Sequence, residues 1–234
     1  MRVFPVAILA GGLGTRIQSV SNGLPKSLIE INGKPFLEWQ LQLLEKNKCK
    51  SIVICTGYKS KLIKCYLENR PKSKMEIKLS YDGKYSLGTG GALIKAQKLL
   101  GKSFLVMYGD SYLSVNFEEV TEYFLDIKES GLMTVLRNDL SSEPSNIFFK
   151  DKLVLEYDKV NSNKKMQYVD YGLMAFNSEC LSKFNVGGTF DLSLILNQLA
   201  IQKELAGYEV FERYYEVGST QGIKDFKKLS KELV

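Results

Sequence analysis

The chain has 234 residues, a net charge of +6, 44% hydrophobic and 25% charged residues, an ordinary composition for one α/β domain with a compact appendage. No apolar run approaches the roughly 18–20 residues that span a bilayer, and the N-terminus does not read as a secretory signal. Four cysteines without a C-x-x-C pair and no histidine argue against a zinc site, a disulfide framework and imidazole catalysis, and point to the cytoplasm.

Residues 3–10 read as a buried strand that runs straight into Gly11-Gly12-Leu13-Gly14-Thr15-Arg16 and, after a polar linker, Leu24-Pro25-Lys26. The three glycines strip the loop of side chains, so its N–H groups can approach a polyphosphate and positive φ costs little. Arg16 and Lys26 add cationic donors where negative charge would collect. A plain tight turn gives a similar pattern. A Walker loop is excluded because Thr15-Arg16 stands where Lys-Ser/Thr is needed. A dinucleotide fingerprint is excluded because position 17 is Ile. Leu9 to Arg16 followed by Pro25-Lys26 resembles the signature of the sugar-1-phosphate nucleotidyltransferase family. The resemblance implies that Leu9, Ala10, Gly11, Gly12, Gly14 and Thr15 bind the nucleotide. It also gives Arg16 the leaving pyrophosphate and Lys26 the α-phosphate. Ser27-Leu28 and Gln18 to Ser21 depart from the family's usual residues.

Leu28–Ile31 reads as extended, ahead of an Asn32-Gly33 turn. Pro35 starts a helix with Phe36, Leu37, Leu41 and Leu44 on one face, and Trp39 off that stripe serves packing or an interface. A strand at Ser51–Cys55, a helix at Lys59–Asn69 with Leu62, Ile63 and Tyr66 inward, and a strand at Met75–Ser80 follow. This alternation predicts right-handed crossovers and a doubly wound, mostly parallel, Rossmann-like sheet.

Leu87-Gly88-Thr89-Gly90-Gly91 is a second glycine loop opening a helix. It serves either a ligand at the strand ends or close helix–sheet packing. The resemblance implies that Gly88, Thr89 and Gly90 line the base. Ser103–Tyr108 is a buried strand ending in Gly109-Asp110. A carboxylate there fits a hard dication bridging to phosphates, and Asp110 is the first expected ligand of Mg²⁺. The competing reading, a helix cap, suits Asn116 better. A helix over 116–130 and a strand at Leu132–Leu136 come next.

From Asn138 to Met166 polar turns and short alternating runs predict a β-rich insertion on the acceptor side. Asp158-Lys159 closes one run. It resembles the family's acid–lysine pair for sugar hydroxyls and sugar phosphate, although a solvated strand end reads the same way. Gly172 before the strand Leu173–Phe176 suggests close approach of a ligand or backbone, and the resemblance places Asp170 and Gly172 in the sugar pocket. Residues 178–206 read as helices, with Phe190, Leu194, Leu196 and Leu199 following a Gly187-Gly188-Thr189 turn. A strand over Gly207–Phe211 precedes Glu216-Val217-Gly218-Ser219. The family has Asp-Ile-Gly-Thr there, with Asp as second metal ligand, so Glu216 takes that place one methylene longer. Ser219 is the expected cap of a last helix with Ile223, Phe226, Leu229 and Leu233 inward.

The expectation is one domain over 1–234, with a nucleotide-binding core at 1–137, a sugar-phosphate part at 138–217 and a C-terminal helix at 218–234. The resemblance implies transfer of a nucleotide onto a sugar 1-phosphate, the reaction type EC 2.7.7, with Mg²⁺ as cofactor. Leu87 to Leu93 and Tyr108 to Tyr112 look closest to heptose 1-phosphate guanylyltransferases, which favours GTP and a role in surface polysaccharide synthesis. The alternatives are a uridylyl- or cytidylyltransferase, or a non-catalytic relative that binds nucleotide sugars and regulates a partner. Lysines spread without a basic block speak against nucleic acid as a partner. No membrane association is expected, and a homodimer is carried as the option for assembly.

Overall fold

A computed structural model describes residues 3–12, 14, 17, 23–140, 144–184 and 188–233. The expectations for Leu13, Thr15, Arg16, Gln18 to Ser21 and Gly187 lie outside the described residues. Strand β1 (Val6–Leu9) alternates sides in the sheet. Val6 and Ile8 enter one apolar cluster, Ala7 and Leu9 the other, and all four are buried. That two-sided burial is why the run is continuously apolar. A short 3₁₀ turn (Lys26–Leu28) and the two-residue strands β2 (Glu30–Ile31) and β3 (Lys34–Pro35) lead into α1 (Phe36–Lys46). Then come β4 (Ser51–Thr56), α2 (Ser60–Asn69), β5 (Glu76–Tyr81), α3 (Gly88–Ala96) and β6 (Ser103–Tyr108).

The second half holds β7 (Ser111–Tyr112), α4 (Phe117–Asp126), β8 (Gly131–Arg137), β9 (Ile147–Lys150), β10 (Leu153–Tyr157) and β11 (Tyr168–Asn177). It ends with α5 (Ser178–Ser182), α6 (Ser193–Ile201), β12 (Leu205–Val210), β13 (Tyr215–Glu216) and α7 (Thr220–Leu229). The nine-stranded sheet has the order β5-β4-β1-β6-β11-β8-β12-β10-β9. Its first four strands are parallel, as expected. Beyond them β11 runs antiparallel between β6 and β8, and β12 is parallel to β8. β9 and β10 form the expected hairpin. The boundary drawn at 137/138 is therefore crossed by the sheet itself, since β8 sits between two later strands.

Helices α1, α2, α4 and α7 cover one face, with Phe36, Phe117, Phe124 and Phe226 in its core; α3, α5 and α6 cover the other. Trp39 serves packing: it is buried, its Nε1 donates to Ile31 O at 3.0 Å, and it meets Phe226 edge-on at 6.0 Å. Several expectations need correction, Leu233 among them, which lies past the end of α7 and is exposed. Leu62 faces outward at 40% exposure, leaving Ile63 as the buried residue of α2. Phe190 lies in the loop ahead of α6, and Leu194 within α6 is exposed. Leu205 and Ala206 belong to β12, where β8 supplies a parallel partner that a helical pattern cannot reveal. Asn116 caps α4 through its Oδ1, which accepts from Glu118 N at 2.9 Å, so Asp110 is free of that task. Among the described residues no helix is long and apolar enough to cross a membrane.

Candidate active site

A cavity of about 760 Å³ opens over the ends of β1 and β6 and is bounded on its far side by the end of β10 and the first half of β11. Leu9, Ala10, Gly12 and Gly14 line its near wall. Gly11 sits behind that wall, where a Cβ would stand 3.2 Å from Asp82 Oδ2. Asp82 is itself buried and accepts from Leu87 N at 3.2 Å, and burial pushes its carboxyl up.

Lys26 follows Pro25 into the 3₁₀ turn, so its stem lies against Gly14, with Cγ 3.1 Å from where a Cβ would be. Its ammonium crosses to Asp110, with Nζ 2.8 Å from Oδ2. Asp110 sits in the turn between β6 and β7. Pairing of β7 with β13 sets Glu216 opposite Ser111, and Val217 N donates to Asp110 O at 2.9 Å. The Glu216 carboxylate accepts from Gly218 N and Ser219 Oγ. Glu216 Oε2, Asp110 Oδ2 and Lys26 Nζ all lie within 3.1 Å of the point where a Cβ on Gly218 would stand. Two carboxylates therefore meet one cation at one spot, and each offers the hard oxygen donors that Mg²⁺ takes. Among the described residues no third acid, cysteine or histidine completes a protein-only metal cluster. The donor set fits an ion that draws its remaining ligands from water and phosphate.

The second glycine loop behaves differently. Thr89 faces the cavity. Gly88 has φ +70° and a Cβ there would fall 2.3 Å from Phe190 O, while a Cβ on Gly90 would fall 2.3 Å from the Phe190 ring. Gly90 N and Phe190 N exchange backbone hydrogen bonds with Phe190 O and Leu87 O. Close packing of the Phe190 loop accounts for glycine at 88 and 90, and neither lines the cavity.

On the acceptor side, β11 breaks register between Asp170 and Met174, and Gly172 takes φ +104°. The buried Thr134 fills the gap in the ladder: its Oγ1 donates to Leu173 O at 2.7 Å and accepts from Leu173 N at 3.2 Å. Such an irregularity re-aims side chains, and Asp170 and Gly172 reach the cavity wall. The Asp170 carboxylate is already engaged. Oδ2 accepts from Tyr108 Oη at 2.8 Å and Tyr157 Oη at 3.0 Å, and Oδ1 from Gly172 N at 2.9 Å. Burial pushes this carboxyl up, against the pull of Lys159 and both hydroxyls. Burial, and then the Asp170 charge, hold both tyrosines well above their ordinary value, so they remain donors.

Lys159 lines the cavity with Nζ 5.4 Å from the Tyr108 ring centroid and 3.2 Å from Asp191 Oδ1. Asp191 Oδ2 accepts from Thr89 Oγ1 at 3.0 Å. Burial alone would raise Asp191, but the Ser193 hydrogen bonds and Lys159 outweigh it and bring its carboxyl down to about 2. Asp158 closes its own turn, accepting from Val160 N and Asn161 N. Tyr108, Tyr157, Thr134 and Asp191 escaped the sequence reading. Tyr108 and Tyr157 each end a strand, the one signal available; Asp191 gave none.

The chain matches the family model described as nucleotidyl transferase over residues 6–147. It is 28% identical over 213 residues to D-glycero-alpha-D-manno-heptose 1-phosphate guanylyltransferase of Campylobacter jejuni, covering 89% of this chain and 85% of that protein. The enzyme described by the same words in Aneurinibacillus thermoaerophilus is 27% identical over 234 residues, 97% and 96% covered. Among solved structures, HddC from Yersinia pseudotuberculosis superposes with a TM-score of 0.82 at 22% identity, covering 97% of this chain and 99% of that one. At that identity the last likeness speaks to the fold.

Proposed function

The chain belongs to the nucleotidyl transferase family, and from that premise we propose that it joins GTP to a sugar 1-phosphate. The products are a nucleotide-activated sugar and pyrophosphate. The observation that carries this reading is a single cavity shared by two kinds of groups. Lys26, Asp110 and the first glycine loop stand on one side, and Lys159 with Gly172 on the other. The two similar bacterial enzymes act on a heptose 1-phosphate, and a phosphorylated heptose is the first acceptor to try.

A sugar phosphate oxygen, already anionic at neutral pH, attacks the α-phosphorus. The Pα–O bond to the β-phosphate breaks, and pyrophosphate leaves with the electron pair. No general base is required, which suits a chain without histidine. The protein's work is alignment and neutralisation of charge. Lys26 turns its ammonium from Asp110 to the α-phosphate. Lys159 binds the acceptor phosphate. The backbone of Gly12 and Gly14 carries the triphosphate, and the family resemblance gives Arg16 the leaving pyrophosphate. Asp170 acts through Gly172 and the two tyrosines, holding the sugar-side wall. Asp110 and Glu216 would hold Mg²⁺, which when bound spreads the charge of the phosphate oxygens. Four free cysteines agree with a reducing compartment, and the product suits cytoplasmic synthesis of surface polysaccharide.

The test is pyrophosphate release with each of four nucleoside triphosphates against heptose, mannose and glucose 1-phosphates. Highest kcat/KM with GTP and a heptose or mannose phosphate is expected. Preference for UTP or CTP would replace the guanine assignment. Binding of nucleotide sugar with no release in any pairing would replace the enzyme by a regulatory relative.

A further inference from the structure

Gln40 is fully buried on α1, on a helix whose other inward residues (Phe36, Leu37, Leu41 and Leu44) are apolar. A buried amide in such company is costly unless it pairs. Its Nε2 donates to Tyr108 O at 3.0 Å and to Ser111 O at 2.8 Å. Those two carbonyls bracket the turn whose middle residues are Gly109 and Asp110. One planar amide thus sets the separation of the last residue of β6 and the first residue of β7. Ser111 is also the partner of Glu216 across β7 and β13, so the same clamp fixes the strand on which the second carboxylate stands. Packing alone would favour leucine or methionine at position 40; the two donors are what the amide adds.

We propose that Gln40 is the positioning residue for Asp110 and, through β7, for Glu216, holding both carboxylates at the spacing a divalent ion requires. The inference rests on the assignment of Asp110 and Glu216 to Mg²⁺. Gln40 does not line the cavity. Its removal therefore acts first on metal affinity and leaves the glycine loop that faces the nucleotide in place. Groups that orient metal ligands from behind contribute about 10–100-fold in affinity.

The experiment measures binding of Mn²⁺ alone to the purified protein by electron paramagnetic resonance, for wild type, Gln40→Met, Gln40→Glu and Asp110→Asn. Gln40→Met keeps the volume and loses both donors. Its Mn²⁺ dissociation constant is expected to rise about ten-fold or more, with an equal shift in the Mg²⁺ concentration for half-maximal velocity. KM for GTP at saturating Mg²⁺ should stay within about two-fold, a split that a general loss of stability would not give. Gln40→Glu, protonated by burial, retains one donor and should fall between; it decides the matter if Gln40→Met does not fold. Wild-type Mn²⁺ binding in the folded Gln40 variants, with Asp110→Asn defective, overturns the inference and leaves the metal assignment standing. Wild-type binding in Asp110→Asn overturns the metal assignment and the inference together.

Discussion

Replacing Lys26 by methionine separates the charge of this residue from its packing. The stem that covers Gly14 is kept and only the ammonium is lost. In the ligand-free molecule Nζ pairs with Asp110 at 2.8 Å, and the two side chains are 17% and 29% exposed. A pair this accessible contributes about 1 kcal/mol or less to stability, so Tm should fall by only about 2–4 °C in a chain of this size. The rate is another matter. A preorganised cation directed at developing phosphate charge contributes about 2.7–4 kcal/mol to the barrier, equivalent to about 10²–10³ in kcat. Lys26→Met should therefore release pyrophosphate at a hundredth of the wild-type rate or less while melting almost normally. A coupled pyrophosphate assay and a thermal melt on the same preparation measure both. A folded Lys26→Met protein with kcat/KM within ten-fold of wild type would refute the role given to this ammonium, because no other described cation stands between Asp110 and the glycine loop.

Lys159→Ala should raise KM for the sugar 1-phosphate by about 10–100-fold, the loss of one charge-assisted bond. KM for GTP should barely move, and equal effects on both substrates would count against acceptor anchoring. Gly88→Ala combines left-handed backbone with a 2.3 Å approach to Phe190 O. It should destabilise the protein by about 2–4 kcal/mol, read as a drop in the denaturant midpoint; an unchanged midpoint would show that the Phe190 loop is not held there. Arg70 and Glu38 form a partly buried two-point pair at 3.0 Å, joined by Tyr66. Burial raises the Glu38 carboxyl, yet Arg70 and Tyr66 outweigh it and hold it below its ordinary 4.5. The contribution of the pair is thus complete above about pH 4.5 and is lost as pH falls through the depressed value. Arg70→Met should cost about 1.5–3 kcal/mol at pH 7, and its Tm deficit should hold steady down to about pH 4.5 and close only on further acidification; a deficit that stays undiminished once Glu38 is protonated would contradict this.

Local pattern was enough for much of the molecule. The continuous apolar runs of β1, β4, β6 and β8 mark strands buried on both faces. Asn116 and Ser219 marked their helices because a cap is a local hydrogen bond between neighbours in sequence. The place of the first glycine loop, Lys26 and Asp110 at one cavity was legible for the same reason: strand, loop and candidate residue follow one another along the chain. The family resemblance supplied roles for Asp158, Lys159, Asp170 and Glu216 that no local signal carried.

What tertiary structure decided depends on partners distant in sequence. The antiparallel insertion of β11 between β6 and β8 could not be read, because alternation of strand and helix says nothing about which strand lies beside which. Phe190 claimed the space in front of Gly88 and Gly90, so glycines read as an open face for a base proved to be seats for another loop. Asp170 was expected in the sugar pocket, and only the fold showed its carboxylate taken up by Tyr108 and Tyr157. Gln40 was one polar residue on an apolar helix, and its meaning came only from two carbonyls about seventy residues away. The amino-acid order alone determined the strands, the caps and the first glycine loop, because those signals are short-range. The meeting of Lys26, Asp110 and Glu216 came from long-range strand pairing, since a residue's own neighbourhood encodes its conformation and not the group it will face.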